Sequence, residues 1–363
     1  MSRRLQSDKI LFGTVVALVL FGAVMVFSAS AVMAAEKFHS SNYFLIRQLV
    51  WAALGLTAMV VMMNVDYRRL ATPVVVFPAL ALQLLLLVVV LFADRSHNTH
   101  RWLHVGATTV QPSELAKLVL VLFLAYFLDQ RRGHVNDVAH TLLPVGLVTG
   151  TTMALILVEP DFGTTLAIAM IVSAMLFAAG LRLRYFTAAG LAAIPLIYRL
   201  VLHSAYRHNR LQAFLHPYDD PLGKGFQIIQ SYIAVGTGGI TGLGLMEGKQ
   251  KLFFLPEPQT DFIFAVVGEE LGLVRTLMLV GAFGVILWRG LRASIGCKDE
   301  YGRLLAIGLT IMVVGQALVN ISVVLGLLPT KGIPLPLISY GGSSLFCTLL
   351  AVGVLLNISQ EAG

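Results

Sequence analysis

The 26 residues between Lys9 and Glu36 carry no charge, and similar runs recur along the whole chain. A hydrocarbon core about 30 Å thick needs roughly 20 predominantly apolar residues per helix, so spans can be read as the gaps between charges. Lys9 to Glu36, Arg47 to Asp66, Arg69 to Asp94, Asp137 to Glu159, Asp161 to Arg182, Arg303 to Lys331 and Lys331 to Glu361 bracket seven such gaps. Three further apolar runs are broken by charge: Val110 to Leu128 by Glu114 and Lys117, Tyr185 to Leu202 by Arg199, and Phe262 to Trp288 by Glu269, Glu270 and Arg275. The expectation is an all-α polytopic membrane protein with ten transmembrane helices, a single domain over residues 1–363. Arg3, Arg4 and Lys9 precede the first run as in a signal peptide, but its length and the lack of a cleavage site make it the first span.

Composition agrees. Only 12% of the residues are charged against 57% hydrophobic, which argues against a water-soluble enzyme, a nucleic-acid binder or a disordered scaffold, since none hides so much apolar surface behind so few charges. The net charge of +7 reads as cytoplasmic Lys and Arg rather than as a nucleic-acid surface. With the N-terminus inside, the inner segments carry Arg68, Arg69, Arg131, Arg132, Arg182, Arg184, Arg289, Arg292, Lys298 and Arg303 besides the N-terminal cluster. The short outer loops carry only Lys37, Arg95, Arg101 and Lys331. Both termini are therefore expected in the cytoplasm. The two cysteines, Cys297 and Cys347, have no metal-ligand or redox spacing.

One large extracytoplasmic loop, about 204–261, is expected between helices 7 and 8. Its segment 225–235 suits a short interfacial helix with Phe226, Ile229 and Ile233 on one face. Gly236, Gly238, Gly239, Gly242 and Gly244 follow, either as a flexible linker or as a backbone whose free amides approach phosphate oxygens. The loop closes on Leu255-Pro-Glu-Pro-Gln-Thr-Asp261, where Thr260 or Asp261 can cap the next helix. Leu328 to Ser344 is expected to be a re-entrant loop, because Pro329, Pro334 and Pro336 forbid a regular helix in an apolar segment. Glu114 and Lys117, three apart, share a helical face and can pair or snorkel to the interface. Arg47 and Arg199, near outer helix ends, are read as snorkelling, and Glu159-Pro160-Asp161 as a turn.

Several strings, taken together, resemble one family. They are Gln111-Pro-Ser-Glu-Leu-Ala-Lys117, Phe226-Gln-Ile-Ile-Gln-Ser231, Gly236-Thr-Gly-Gly239, Leu255 through Phe264, Gly268-Glu-Glu-Leu-Gly272 and Leu328 through Ser344. In this order they resemble the SEDS family of shape, elongation, division and sporulation proteins, nearer its division branch. The resemblance implies an inner-membrane glycosyltransferase that polymerises lipid II into peptidoglycan at the division septum. It implies a class B penicillin-binding protein and other division proteins as partners. It makes Asp261 the essential acid, Glu114 and Lys117 a functional intramembrane pair, and Trp102, Asp161 and Lys251 part of an outward-facing cavity. Arg210, Lys251 and a divalent cation, magnesium or manganese with ligands not assignable from sequence, would neutralise the leaving pyrophosphate, and Lys331 would lie near the headgroup. His216, Gln259 and Leu245 depart from the usual pattern. The rival function is a flippase or transporter of a lipid-linked precursor.

Overall fold

The computed structural model describes residues 7–93, 101–106, 108–202, 205–330 and 332–361. It is a multi-pass helical bundle: α1 (Lys9–Phe38), α2 (Tyr43–Asn64), α3 (Pro73–Ala93), α4 (Pro112–Gln130), α5 (Leu143–Val158), α6 (Phe162–Ala178), α7 (Leu183–Leu202), α8 (Ala205–Leu215), α9 (Phe226–Gly238), α10 (Ile263–Gly296), α11 (Glu300–Val324) and α12 (Gly342–Ser359). A short antiparallel hairpin, β1 (Leu103–Val105) with β2 (Thr108–Val110), precedes α4. Seven helical segments among the described residues are long and apolar enough to cross a membrane: α1, α2, α3, α5 with its preceding turn, α10, α11 and α12. Helices α4, α6 and α7 occupy the other three expected positions, and α6, at 17 residues, is the shortest of them.

Burial follows each helix's place in the bundle. Helices α11 and α12 are enclosed nearly throughout, whereas α2 and α3 turn most of their apolar surface outward, as lipid-facing helices do. At one end of the bundle the chain ends meet: Gln360 Nε2 donates to Ser7 Oγ at 2.9 Å. Asp8 caps α1 through the amides of Ile10 and Leu11 and pairs with Arg289 of α10. Tyr67 donates to Asp299 at 2.5 Å, and Arg68 pairs with Glu361.

The large loop is more structured than its composition suggests, containing α8, α9 and a short turn of helix at Pro217–Asp219. The short helix expected at this place is α9. Its buried face is Ile228, Ser231, Ala234 and Gly238, with Ser231 Oγ donating to the Val324 carbonyl at 2.8 Å, while Ile233 points outward. The expected apolar face of Phe226, Ile229 and Ile233 lies outside this packed set.

The glycine run also has a different use from phosphate binding. Helix α10 is broken at Gly272, where φ is 74°. A break leaves carbonyls and amides without helical partners, and inside a membrane protein those must be satisfied. The glycine run supplies them: Leu243 N donates to Glu269 O at 3.0 Å, Gly244 N to Glu270 O at 2.9 Å, and Leu273 N to Gly239 O at 2.9 Å. The two backbones are so close that a β-carbon on Gly272 would stand 2.2 Å from Gly242 N.

Residues 328–330 and 332–341 form a non-helical segment folded back into the bundle between α11 and α12, where Ile333, Leu335, Leu337 and Ile338 are buried. Shielding by protein is the condition under which irregular backbone survives at membrane depth. Its polar groups are held from all sides. Asn320 Nδ2 donates to Ile333 O at 2.7 Å, Gln316 Nε2 to Pro334 O at 3.0 Å, Ser339 Oγ to Thr260 O at 2.6 Å, and Tyr340 N to Gln259 O at 2.9 Å.

Candidate active site

The residue before α10's first turn can be a cap or a chemical group, and the structure separates the two roles. The capping position is Phe262, without a side-chain cap, and the Asp261 carboxylate accepts no hydrogen bond from any described residue. Its backbone carbonyl is fixed instead, by Asn320 Nδ2 at 2.8 Å. The side chain is half-buried in a pocket of about 70 Å³ lined by Arg210, Gln227, Pro256, Glu257, Phe262, Thr330 and Gly332. That space holds a few water molecules or one hydroxyl-bearing group.

Desolvation pushes the Asp261 carboxyl up to about 7, and Glu257 and Asp161 add to the effect while Arg210 and Arg101 oppose it. An acid in that range exchanges a proton readily at neutral pH. Arg210 donates to the Thr330 carbonyl at 3.1 Å, which ties the pocket's cation to the re-entrant segment. Lys331 lies outside the described residues, although both its neighbours line the pocket.

Asp161 sits beside this pocket as the N-cap of α6. It accepts from Thr164 N at 3.0 Å, Thr164 Oγ1 at 2.8 Å and Gln111 Nε2 at 3.1 Å, joining the start of α4 to the start of α6. Arg101 grips the same turn through the carbonyls of Glu159 and Pro160. Trp102, next to Arg101, is about one-third exposed.

Glu114 and Lys117 are both buried, 2.8 Å apart, which selects pairing over snorkelling. Lys117 also donates to Gln316 Oε1, and Gln316 donates onward to Pro334 O. The pair therefore supports the re-entrant segment from below and does not line the Asp261 pocket.

Lys251 is placed elsewhere too. Its ammonium is buried against Glu270 at 2.7 Å and Ser28 Oγ at 3.1 Å, and it is not among the residues lining the pocket. Glu269 accepts the amides of Lys249 and Gln250, and Glu270 that of Met246. This buried cluster fastens the loop to α10 just before its break. The sequence marks Glu269 and Glu270 as interruptions of a span and as part of the Gly268-Glu-Glu-Leu-Gly272 string, without pointing to their partners. It does not mark Ser28, Gln316 or Asn320, because an uncharged polar residue in an apolar run carries no strong signal. Glu159 was read as part of a turn, yet its side chain is wholly buried and neither carboxyl oxygen has a hydrogen-bond partner.

Among the described residues, no group of three or more His, Cys, Asp or Glu side chains is placed to hold a metal ion. The pocket offers carboxylates from Asp261 and Glu257 facing Arg210, which does not fit a protein-caged cation.

Residues 8–363 match the family model described as cell cycle protein, FtsW/RodA/SpoVE. The chain is 45% identical over 363 residues to the probable peptidoglycan glycosyltransferase FtsW of Trichlorobacter lovleyi, covering 98% of this chain and 94% of the relative. It is 42% identical over 360 residues to stage V sporulation protein E of Bacillus subtilis, covering 99% and 98%. Two solved structures are similar across the fold. One is a chain of a peptidoglycan synthase complex that coordinates polymerization and crosslinking, with TM-score 0.81, 33% identity and 98% of each chain covered. The other is the rod shape determining protein RodA of Thermus thermophilus, with TM-score 0.72, 29% identity, and 99% and 98% covered.

Proposed function

The chain belongs to the FtsW/RodA/SpoVE family of cell cycle proteins, and from that premise we propose that it is a peptidoglycan glycosyltransferase polymerising lipid II during cell division. The observation that carries the reading is Asp261: a carboxylate without a hydrogen-bond donor among the described residues, held beside Arg210 and titrating near neutrality. A sugar hydroxyl of the acceptor entering the pocket would give its proton to Asp261 as its oxygen attacks the donor's anomeric carbon. The polyprenyl pyrophosphate leaves from the opposite face, with inversion. Arg210 is the cation at hand to offset charge on the departing group. Lys251, spent on Glu270, is not available for that task.

A divalent cation fits this site only as a companion of the substrate's pyrophosphate, with phosphate and water supplying most of its ligands. No step here depends on it. The ten long helices read as ten spans, with both chain ends in the cytoplasm and Asp261 on the outer face. The meeting of Ser7 with Gln360 supports an even number of crossings. The septum is the proposed location. A class B penicillin-binding protein is the proposed partner, supported by the likeness to a synthase complex that couples polymerization to crosslinking.

The test is a purified-protein assay with lipid II, with and without a penicillin-binding partner, read as glycan polymer on a gel. Polymer that disappears in Asp261→Asn supports the proposal. No polymer in either condition, together with accelerated lipid translocation in liposomes, would replace it with the flippase reading.

A further inference from the structure

Three unlike groups meet at the turn between α5 and α6, two from the turn itself and Arg101 from the segment before β1. Asp161 has three hydrogen-bond donors on its carboxylate. Arg101 donates from Nε to Glu159 O at 3.0 Å and from its terminal nitrogen to Pro160 O. The Glu159 side chain, fully buried in the same turn, has no partner on either oxygen. A buried carboxylate anion with no donor, next to another carboxylate, is disfavoured twice over, once by desolvation and once by like charge. The neutral acid avoids both.

The turn also reaches the catalytic pocket. Gly163, two residues beyond Asp161, lies against Ile333, and the preceding Gly332 lies against Asp261. Arg101 and Asp161 both contribute to the field at Asp261.

We propose that Glu159 is a positioning residue that works as a neutral acid: protonated, it leaves Arg101 on the two turn carbonyls, and ionised, it draws Arg101 off them and slackens the turn beside Asp261. The change is a simple proton loss to solvent, with the new anion and Arg101 forming an ion pair. The ionisable groups bearing on Glu159 are Asp161, which favours the neutral form, and Arg101, which favours the anion; burial weighs most, and the balance lies at about 8. Activity should therefore decline on the alkaline side as Glu159 ionises. This inference rests on the proposed polymerase function for its kinetic readout only.

Two measurements on the full-length protein test it. Infrared difference spectra of the parent against Glu159→Gln should show a protonated-carboxyl band near neutral pH that is lost in the variant and titrates away in the parent at about pH 8. Asp261→Asn identifies any band from that carboxyl. This reading needs no polymerase activity, so a failure of the proposed function and a failure of this inference are distinguishable. Absence of a Glu159-dependent protonated band overturns the inference.

The second measurement is the rate of lipid II polymerisation near pH 9 relative to that near pH 7. About a fivefold fall is expected in the parent, a tenfold loss of neutral Glu159 offset about twofold by ionisation of Asp261, and about a twofold rise in Glu159→Gln. Superimposable profiles overturn the inference. Should Glu159→Gln fail to fold, Glu159→Asp keeps a titratable acid and should keep the alkaline decline, whose disappearance would count against it.

Discussion

Gly332 lies so close to Asp261 that a β-carbon on it would stand 3.0 Å from Oδ2. The re-entrant segment thus forms one wall of the pocket around the acid, and its fit depends on a residue without a side chain. Gly332→Val should crowd the carboxylate and lower polymerisation by about 10²-fold, as small displacements at a reacting group do. Gly332 is not at a positive φ, so the thermal midpoint should change little. Parent-like rates in that variant would mean the carboxylate has room to move aside.

Asp261→Asn should reduce polymerisation by roughly 10² to 10⁴, the range for losing a general base. It should also stabilise the protein. The folded-state carboxyl titrates at about 7, above its ordinary value of 3.8, so the folded state holds its proton longer and stability falls as pH rises between those values. Above pH 7 that penalty is fully present, and Asn removes it. A thermal midpoint at pH 8 below the parent's would refute the desolvated environment assigned to Asp261.

The same titration sets the acidic limb of the parent's activity. Only ionised Asp261 accepts a proton, so polymerisation should climb with pH through about 7. A profile flat between pH 5.5 and 7.5 in steady-state rates would take the role of base from Asp261 and make Glu257 the next carboxylate to substitute.

Breaking the buried pair should harm folding more than removing it. Glu114→Ala leaves the Lys117 ammonium with Gln316 as its described partner, a loss of about 3 to 5 kcal/mol for an uncompensated buried charge. Glu114→Leu with Lys117→Met should recover much of the thermal midpoint, though not activity, because Gln316 would lose a partner that holds it under Pro334. Equal midpoints for single and double variants would show that the pair is solvated.

Gly272→Ala should be among the most destabilising small substitutions in the chain. It combines φ of 74° with a β-carbon 2.2 Å from Gly242 N, so both the local conformation and the packing oppose it. Gly281→Ala, on the same helix with open space around it, is the control and should be near neutral. Comparable detergent-solubilised thermal midpoints for the two variants would argue that the break in α10 is not the ground state.

What the sequence determined by itself was the membrane solution and its motifs. Gaps between charges mark helices because no other regular structure satisfies its backbone in lipid without closing on itself, and that constraint acts locally. It located the helices from α1 to α12 that correspond to the expected spans, and Pro329, Pro334 and Pro336 announced that the last two are joined by irregular chain. The family motifs singled out Asp261 and Glu114 with Lys117. Partnership was decided only by the tertiary structure. Lys249 and Lys251 look alike in sequence, yet Lys251 is buried on Glu270, because the break at Gly272 draws residues 239–251 against α10. Glu159 and Asp161, two residues apart, look like one acidic turn. Asp161 gains three donors from α4 and α6 and Glu159 gains none. A residue's charge is written in its side chain, but its solvation and its donors come from helices distant in sequence, and those exist only once the bundle has closed.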